Sequence, residues 1–313
     1  MELKVDAHIL AVMANNTSTD TLASAPSCYH LPDPTFDKVS ERYMMNLATA
    51  IINITAAPFA VAFNLLISYA IVSRLRTPSN LLIACLALSD VFVGLAVQPG
   101  YITYRLMENQ LRSVPCFVRI VYANAFYLCC GVSFMTLAAV SYERFVAVRL
   151  QARYNDVFSS RRVLKYMATI WIVNIILTSL QWAGINRVSR GMHLITWFIC
   201  LLVAGAANIG IVLTLLRTRR KVQPQHKQLR EKIRRRREAK LTKIIAFIVG
   251  VYLLLNMPVL LVTIYHQILG QDIKTYNHYS WTETLAFVNS CTNPLICFWK
   301  SRQIRQAVIT ILK

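Results

Sequence analysis

Two ionisable residues stand where an ionisable residue is expensive. Asp90 lies in the stretch Leu75–Tyr104, whose other charged residue before Tyr104 is Arg76 near the start. It follows Ser79 by eleven residues, about 16 Å along a helix axis, so it falls near the middle of any bilayer that this helix crosses. Asn64, Ser133, Asn289 and Asn293 are neutral oxygen donors at comparable depth on other apolar stretches. Asn289 and Asn293 are four residues apart and share a helix face. One carboxylate among such donors can hold a small hard cation such as sodium, or it can be a hydrogen-bonded packing cluster; both readings stand. An intramembrane acid is in either case a functional-site candidate. The second anomaly is Arg144, which follows Glu143 at the end of the uncharged stretch Ile120–Tyr142. An arginine there serves as an interfacial anchor that snorkels, or as one arm of a switch. Glu143 can pair with it locally, and Glu238 at the start of a later span can pair with it across helices. A charge pair that holds two helix ends closed until it breaks is a bistable element.

Enzyme chemistry finds little support. The six histidines (His8, His30, His193, His226, His266 and His278) are scattered without ligand spacing, and no nucleophile–base pair is visible. Cys85, Cys129, Cys130, Cys200, Cys291 and Cys297 fall within apolar stretches, where small apolar packing is the ordinary role. Cys28 and Cys116 lie outside them, and only these two are placed to meet an oxidising exterior.

The elements that must position these groups are membrane spans. Apolar residues make up 56% of the 313 and charged residues 15%, against about 25% charged in soluble domains. Asn46–Ser73, Leu75–Tyr104, Ile120–Tyr142, Tyr166–Asn186, Gly191–Leu216, Ile244–Gln271 and Thr275–Trp299 carry between none and two charges each. Each is long enough for a hydrocarbon core about 30 Å thick. The fold expected is an all-α integral membrane protein, a seven-transmembrane helix bundle. Basic residues orient it. With the N-terminus outside, 25 of the 34 Lys and Arg lie on the cytoplasmic side with four acids; nine bases and nine acids lie outside. The net charge of +20 therefore reports topology, and nucleic-acid binding is not needed to explain it.

Residues 1–45 read as an extracellular tail, disordered and glycosylated, with overlapping sequons at Asn15 and Asn16. The sequon at Asn53 falls inside the first span and is expected to go unused. Residues 46–299 form the seven-span domain. Arg217–Lys243 holds thirteen basic residues and is expected to extend helices five and six around a bend near Pro224. Its charge suits both anchoring on anionic lipid and a partner contact. Residues 300–313 separate apolar from basic side chains, as in a short amphipathic helix along the inner leaflet. Pro99, Pro258 and Pro294 offer kinks within spans two, six and seven.

Residues 46–312 resemble the rhodopsin-like (class A) G-protein-coupled receptors. The resemblance is carried by Asn64, Leu86-Ala87-Leu88-Ser89-Asp90, Glu143-Arg144-Phe145, Trp171, Pro258 and Asn293-Pro294-Leu295-Ile296-Cys297 followed by Phe298, in order and each on the expected span. It implies a multi-pass plasma-membrane receptor, not an enzyme, that needs no cofactor and has a short helix 8. Its partners would be an extracellular ligand, a heterotrimeric G protein and the bilayer, without nucleic acid. By position, Asp90, Ser133, Asn289 and Asn293 match the family's allosteric Na+ pocket. Arg144 matches the arginine that engages the G-protein α subunit, with Glu238 its resting partner. The ligand cavity would be lined by Phe126, Tyr127, Cys130, Asn256, Leu260, Thr263, Glu283 and Phe287.

Departures from the pattern are as informative. The span-six Cys-Trp-x-Pro reads Leu255-Asn256-Met257-Pro258, Cys297 replaces a tyrosine, span five lacks its proline, and Asn208 stands at its switch tyrosine. The loop Arg187–His193 is short and has no cysteine, so the usual disulfide from span three to that loop is excluded. Cys28 is the remaining extracellular partner for Cys116, as a bond or as two free thiols. A short loop, no loop cysteine and no span-five proline are similar to the melanocortin branch with its adenosine and cannabinoid relatives. Phe126 replaces the aspartate of amine receptors, which disfavours a monoamine, and Phe287 replaces the retinal lysine of opsins. Arg105, Arg119 and Glu283 are either interfacial charges or part of a cavity mouth suited to a polar or zwitterionic ligand or a peptide. Two other functions compete: a receptor-like scaffold or trafficking protein, favoured by the missing relay groups, and a transporter or channel. The absence of repeated or paired broken helices argues against the last.

Overall fold

The computed structural model describes residues 28, 39–111, 113–150, 154–183, 185–221, 229–269 and 273–312. Seven long helices follow one another: α1 (Val39–Arg74), α2 (Pro78–Leu111), α3 (Cys116–Leu150), α4 (Ser160–Ser179), α5 (Asn186–Lys221), α6 (Leu229–Leu269) and α7 (Ile273–Lys300). A shorter α8 (Arg302–Leu312) closes the described chain. The first six contain segments long and apolar enough to cross a membrane, and their side chains are distributed as a membrane demands. Ile51, Phe59, Leu65, Ile172, Ile199, Leu202, Leu254 and Leu261 are exposed, while Asn53, Asn64, Asp90, Gln98 and Asn289 are buried. Lipid can solvate leucine but cannot satisfy an amide or a carboxylate, so polar groups turn inward and find one another.

Local sequence sets the helix ends and irregularities. Thr77 caps α2 by accepting from the Asn80 amide at 3.3 Å, with Pro78 in the first turn where its missing N–H is not needed. Ser159 caps α4 in the same way. Pro99 would crowd the carbonyl four residues before it; the helix widens there into a π-helical turn, Val93–Val97, and the Gln98 amide donates to Val93 O five residues back. Pro58, Pro258 and Pro294 also lie inside helices.

The fourth connection is shorter than expected. Arg187–His193 reads as a loop, yet α5 already starts at Asn186, after a 3-10 turn Leu180–Trp182. Ser189 donates to Leu177 O and His193 is buried, so these two polar residues face the bundle and the segment continues α5. Helices five and six do extend beyond the apolar core, α5 to Lys221 and α6 from Leu229. Pro224, Asn15 and Asn16 lie outside the described residues. The amphipathic α8 buries Ile304, Ala307 and Val308 and packs against α1 and α7.

α3 is the central strut, packed against α2, α4, α5 and α6. Gly131 shows how closely: a Cβ there would overlap the Asn174 amide of α4 and lie 3.5 Å from Trp197 Nε1 of α5. Asn53, read as a sequon, works as glue. It donates to Thr284 on α7 and accepts from Gln98 on α2, both at 3.1 Å. The bundle has a tail end, where Cys28 meets α3, and a basic end, which carries Arg144.

Candidate functional site

Midway along α2, Asp90 is only 2% exposed. Its two oxygens accept from Ser290 Oγ and Asn293 Nδ2 of α7, each at 2.9 Å. Asn64 of α1 joins by donating to Ser290 O at 2.8 Å, and Ser133 of α3 shares a 3.2 Å hydrogen bond with Ser89. Four helices thus converge on one acid. A cavity of about 20 Å³ opens beside it, lined by Asp90, Cys130, Ser133, Tyr252, Asn256, Asn289 and Ser290 among others. The Oδ1 atoms of Asn289 and Asn293 are buried without a hydrogen-bond partner. A carboxylate with unpartnered amide oxygens is a hard-cation donor set, so these residues fit a sodium ion. Ser290 is a direct partner that sequence reasoning missed. A serine in a span gives little signal, though its place between Asn289 and Asn293 gave a hint.

Arg144 and Glu143 sit at the basic end, both at most 3% exposed. They pair with each other, and Arg144 also reaches Ser79 at the start of α2. Ser79 donates to Glu143 at 2.8 Å, and Tyr154, in the short helical turn Tyr154–Val157 after α3, gives its hydroxyl to the same carboxylate. Neither Ser79 nor Tyr154 was picked out as a partner from sequence. Phe145 packs over Gly210 of α5, where a Cβ would meet the ring at 2.7 Å. Glu238 belongs to α6, but its side chain lies outside the described ones.

The positions assigned to the ligand cavity are drawn together on α3, α6 and α7. Phe126, Asn256, Leu260, Thr263, Glu283 and Phe287 are buried, and Tyr127 and Cys130 partly so. A residue outside the assigned set packs against two of them, Phe126 and Tyr127. Trp197 of α5 is 1% exposed; it stacks on Phe134 at 5.3 Å and on Tyr127 at 5.8 Å, and meets Phe126 at 6.0 Å. Phe134 in turn stands edge-on to Tyr252 of α6 at 5.6 Å. Helix six therefore has Asn256, bonded to Tyr252 O at 3.0 Å, where the resemblance implies tryptophan, and the buried indole comes from α5. Cys297 replaces the larger tyrosine and, with Asn64 and Pro294, lines a second cavity of about 10 Å³.

At the tail end the charges read as interfacial or cavity-mouth groups are buried and paired. Arg105 bridges Glu108 at 3.2 Å and Glu283 at 3.1 Å, and Arg42 of α1 reaches Glu108 at 3.1 Å. Tyr122 of α3 donates to Glu283 at 2.6 Å, and Asn46 donates to Glu108 at 3.1 Å. All four charged side chains are at most 3% exposed. Arg119 is also buried. Close by, Cys28 and Cys116 form a disulfide with Cα atoms 5.3 Å apart, which ties the N-terminal tail to the first turn of α3.

Residues 63–296 match the profile of the 7 transmembrane receptor (rhodopsin family). The chain is 24% identical to the adenosine receptor A2b of Rattus norvegicus, over 83% of this chain and 88% of that protein. It is 25% identical to the histamine H2 receptor of Homo sapiens, over 74% of this chain and 69% of that protein. A probable G-protein coupled receptor, No9 of Amphibalanus amphitrite, is 32% identical over 47% of this chain and 30% of its own length. The chain belongs to the rhodopsin family of seven-transmembrane receptors: it is a multi-pass G-protein-coupled receptor and not an enzyme.

Proposed function

We propose that this receptor sits in the plasma membrane with its tail end outside, takes an extracellular ligand among α2, α3, α6 and α7, and opens its basic end to a heterotrimeric G protein. The observation that carries the reading is the state of Arg144. It is a buried guanidinium held by Glu143 and Ser79, with Tyr154 hydrogen-bonded to the same Glu143 carboxylate. A charge kept inside at the basic end is available to a partner once those contacts open. Glu238 of α6 is assigned the second clasp on Arg144. Asp90, Ser133, Asn289 and Asn293 would hold a sodium ion that supplies a fixed positive charge beside Asp90. The chain's own residues orient the acid, with Ser290 and Asn293 donating to it. Asn15 and Asn16 are assigned glycans.

The ligand reading rests on Phe126 and Glu283. Relatives are named for adenosine and for histamine, but α3 offers a phenyl ring in place of the aspartate that amine receptors carry, so a monoamine held by that helix is disfavoured. Asn256, Asn208 and Cys297 favour a second reading, a scaffold or trafficking protein without signalling, because they replace the family's relay groups. A G-protein dissociation screen across all α-subunit classes in transfected cells separates the two. A basal or ligand-driven signal abolished by Arg144→Ala supports the receptor; silence in every class favours the scaffold.

A further inference from the structure

The two cavities of the bundle divide the buried amides between them. The larger, of about 20 Å³, is lined by Asp90 of α2, Ser133 of α3, Asn289 of α7 and also Asn256 of α6. Asn293 lines the smaller, of about 10 Å³, together with Asn64. Asn293 does reach Asp90, but with its nitrogen: Nδ2 donates to the carboxylate at 2.9 Å. An amide N–H donates and cannot ligate a cation, so this contact orients the acid. Asn256 is turned the other way. Its Nδ2 donates to Tyr252 O, one turn back on α6, at 3.0 Å. The nitrogen is thereby committed to the α6 backbone, and Oδ1 is the polar atom left for the cavity that Asn256 lines.

The tryptophan that the resemblance implies at this position offers an N–H donor and no acceptor. Asparagine brings a carbonyl oxygen, which is a hard-cation ligand. Charge then narrows the occupant. Asp90 is the one acid that lines the cavity, so a monovalent cation leaves the site neutral. A divalent cation would leave a net charge deep in the membrane, where charge is expensive. Space narrows it further. The cavity has room for about one small ion or water, so an entering ion sheds most of its water and needs protein oxygens instead. The unpartnered Oδ1 of Asn289 is one such oxygen.

We propose that Asn256 Oδ1 is the fourth oxygen donor of the sodium site, in the place assigned to Asn293, so that the ion ties α6 to α2, α3 and α7. The proposal rests on the reading of Asp90 as a sodium site. It moves Asn293 from ligating the ion to orienting the acid. Asn256 precedes Pro258 by two residues on α6, and a proline within a helix is where it kinks. An ion held by Asn256 therefore grips α6 beside its kink and resists a swing of that helix away from α2, α3 and α7.

The test uses the full-length receptor in phosphatidylcholine nanodiscs, without ligand or G protein. The unfolding midpoint is followed against sodium chloride, with choline chloride holding the ionic strength constant. Sodium is expected to stabilise the wild type, and Asp90→Asn to abolish the response. Asn256→Leu removes one charge-assisted contact and is expected to need about tenfold more sodium for half the effect. Asn293→Leu is expected to shift that concentration less. Asn256→Asp supplies a gain that misfolding cannot imitate. With two carboxylates the site can neutralise a divalent ion, so calcium is expected to raise the midpoint of this variant well beyond its effect on the wild type. A larger shift from Asn293→Leu than from Asn256→Leu overturns the assignment and leaves the sodium reading standing. So does an Asn256→Asp variant that calcium stabilises no more than the wild type. A wild type indifferent to sodium, or an Asp90→Asn variant that still responds, removes the sodium reading and the role of Asn256 with it.

Discussion

The two ends of the bundle each bury a Glu–Arg–Tyr cluster, and they are wired differently. At the basic end Glu143 and Arg144 are neighbours in sequence on one helix, with Ser79 and Tyr154 hydrogen-bonded around them. At the tail end the ion pairs join Arg42 to Glu108 and Arg105 to Glu283, which brings α1, α2 and α7 together, and Tyr122 adds α3. A helix can swing at the basic end without separating the local pair; only the lighter contacts to Ser79 and Tyr154 must part. Movement of α7 against α2 at the tail end must break an ion pair. The tail end is built as a fastener and the basic end as a latch.

The largest effect expected from this contrast is on stability at the tail end. Glu108 serves both Arg42 and Arg105. Breaking a buried pair by removing one partner costs about 3–5 kcal/mol, so Glu108→Ala should lower the unfolding midpoint of purified receptor by several degrees. Glu108→Asp, which keeps the charge, should recover part of the loss. A smaller loss from Glu108→Ala than from the basic-end variant below would reverse the assignment of fastener and latch.

Glu143→Gln tests the latch. The amide keeps hydrogen-bonding capacity toward Ser79 and Tyr154 but loses its charge, and a hydrogen bond to a charged group is worth about 2 kcal/mol. A moderate fall in stability is expected, with basal G-protein dissociation raised because Arg144 is held less firmly. Basal signal unchanged while stability falls would mean that the cluster is structural only.

The contrast also explains what sequence could show. Asp90 and Arg144 were legible because each is a charge on or beside an uncharged stretch, and Glu143 because it is adjacent. The seven spans were legible because a bilayer forces composition to follow topology. The tail-end network was not, since the pairs that join its helices are separated by 66 and 178 positions, and the local pair Arg105–Glu108 points to neither of them. Arg105 and Glu283 were visible as charges near the membrane edge, where lipid headgroups and ion pairs explain them equally well. Ser79, Tyr154 and Ser290 are neutral side chains whose role depends on the neighbours that the fold supplies. Trp197 is the sharpest case. One more aromatic in an apolar span looks like lipid anchoring or core, and only packing places its indole on Phe134 and Tyr127. The start of α5 was misplaced for a related reason: arginines at 187 and 190 resemble a loop, while the burial of Ser189 and His193 is what continues the helix.

The smallest effect belongs to Tyr154, which touches the latch from outside the spans. Its hydroxyl donates to Glu143, and burial followed by the nearby Glu143 charge pushes its pKa up to about 12. The folded chain thus keeps this phenolic proton beyond the ordinary value of 10.0. The stabilisation is complete below that value and is lost as pH rises from it toward about 12. Across physiological pH the hydroxyl stays a donor, so Tyr154 contributes no pH dependence there. Tyr154→Phe removes one hydrogen bond, about 1 kcal/mol. It should raise basal signalling less than Glu143→Gln does, and it should flatten the alkaline fall in unfolding midpoint. An equal or larger rise in basal signal would make Tyr154, rather than the charge on Glu143, the main hold on the latch.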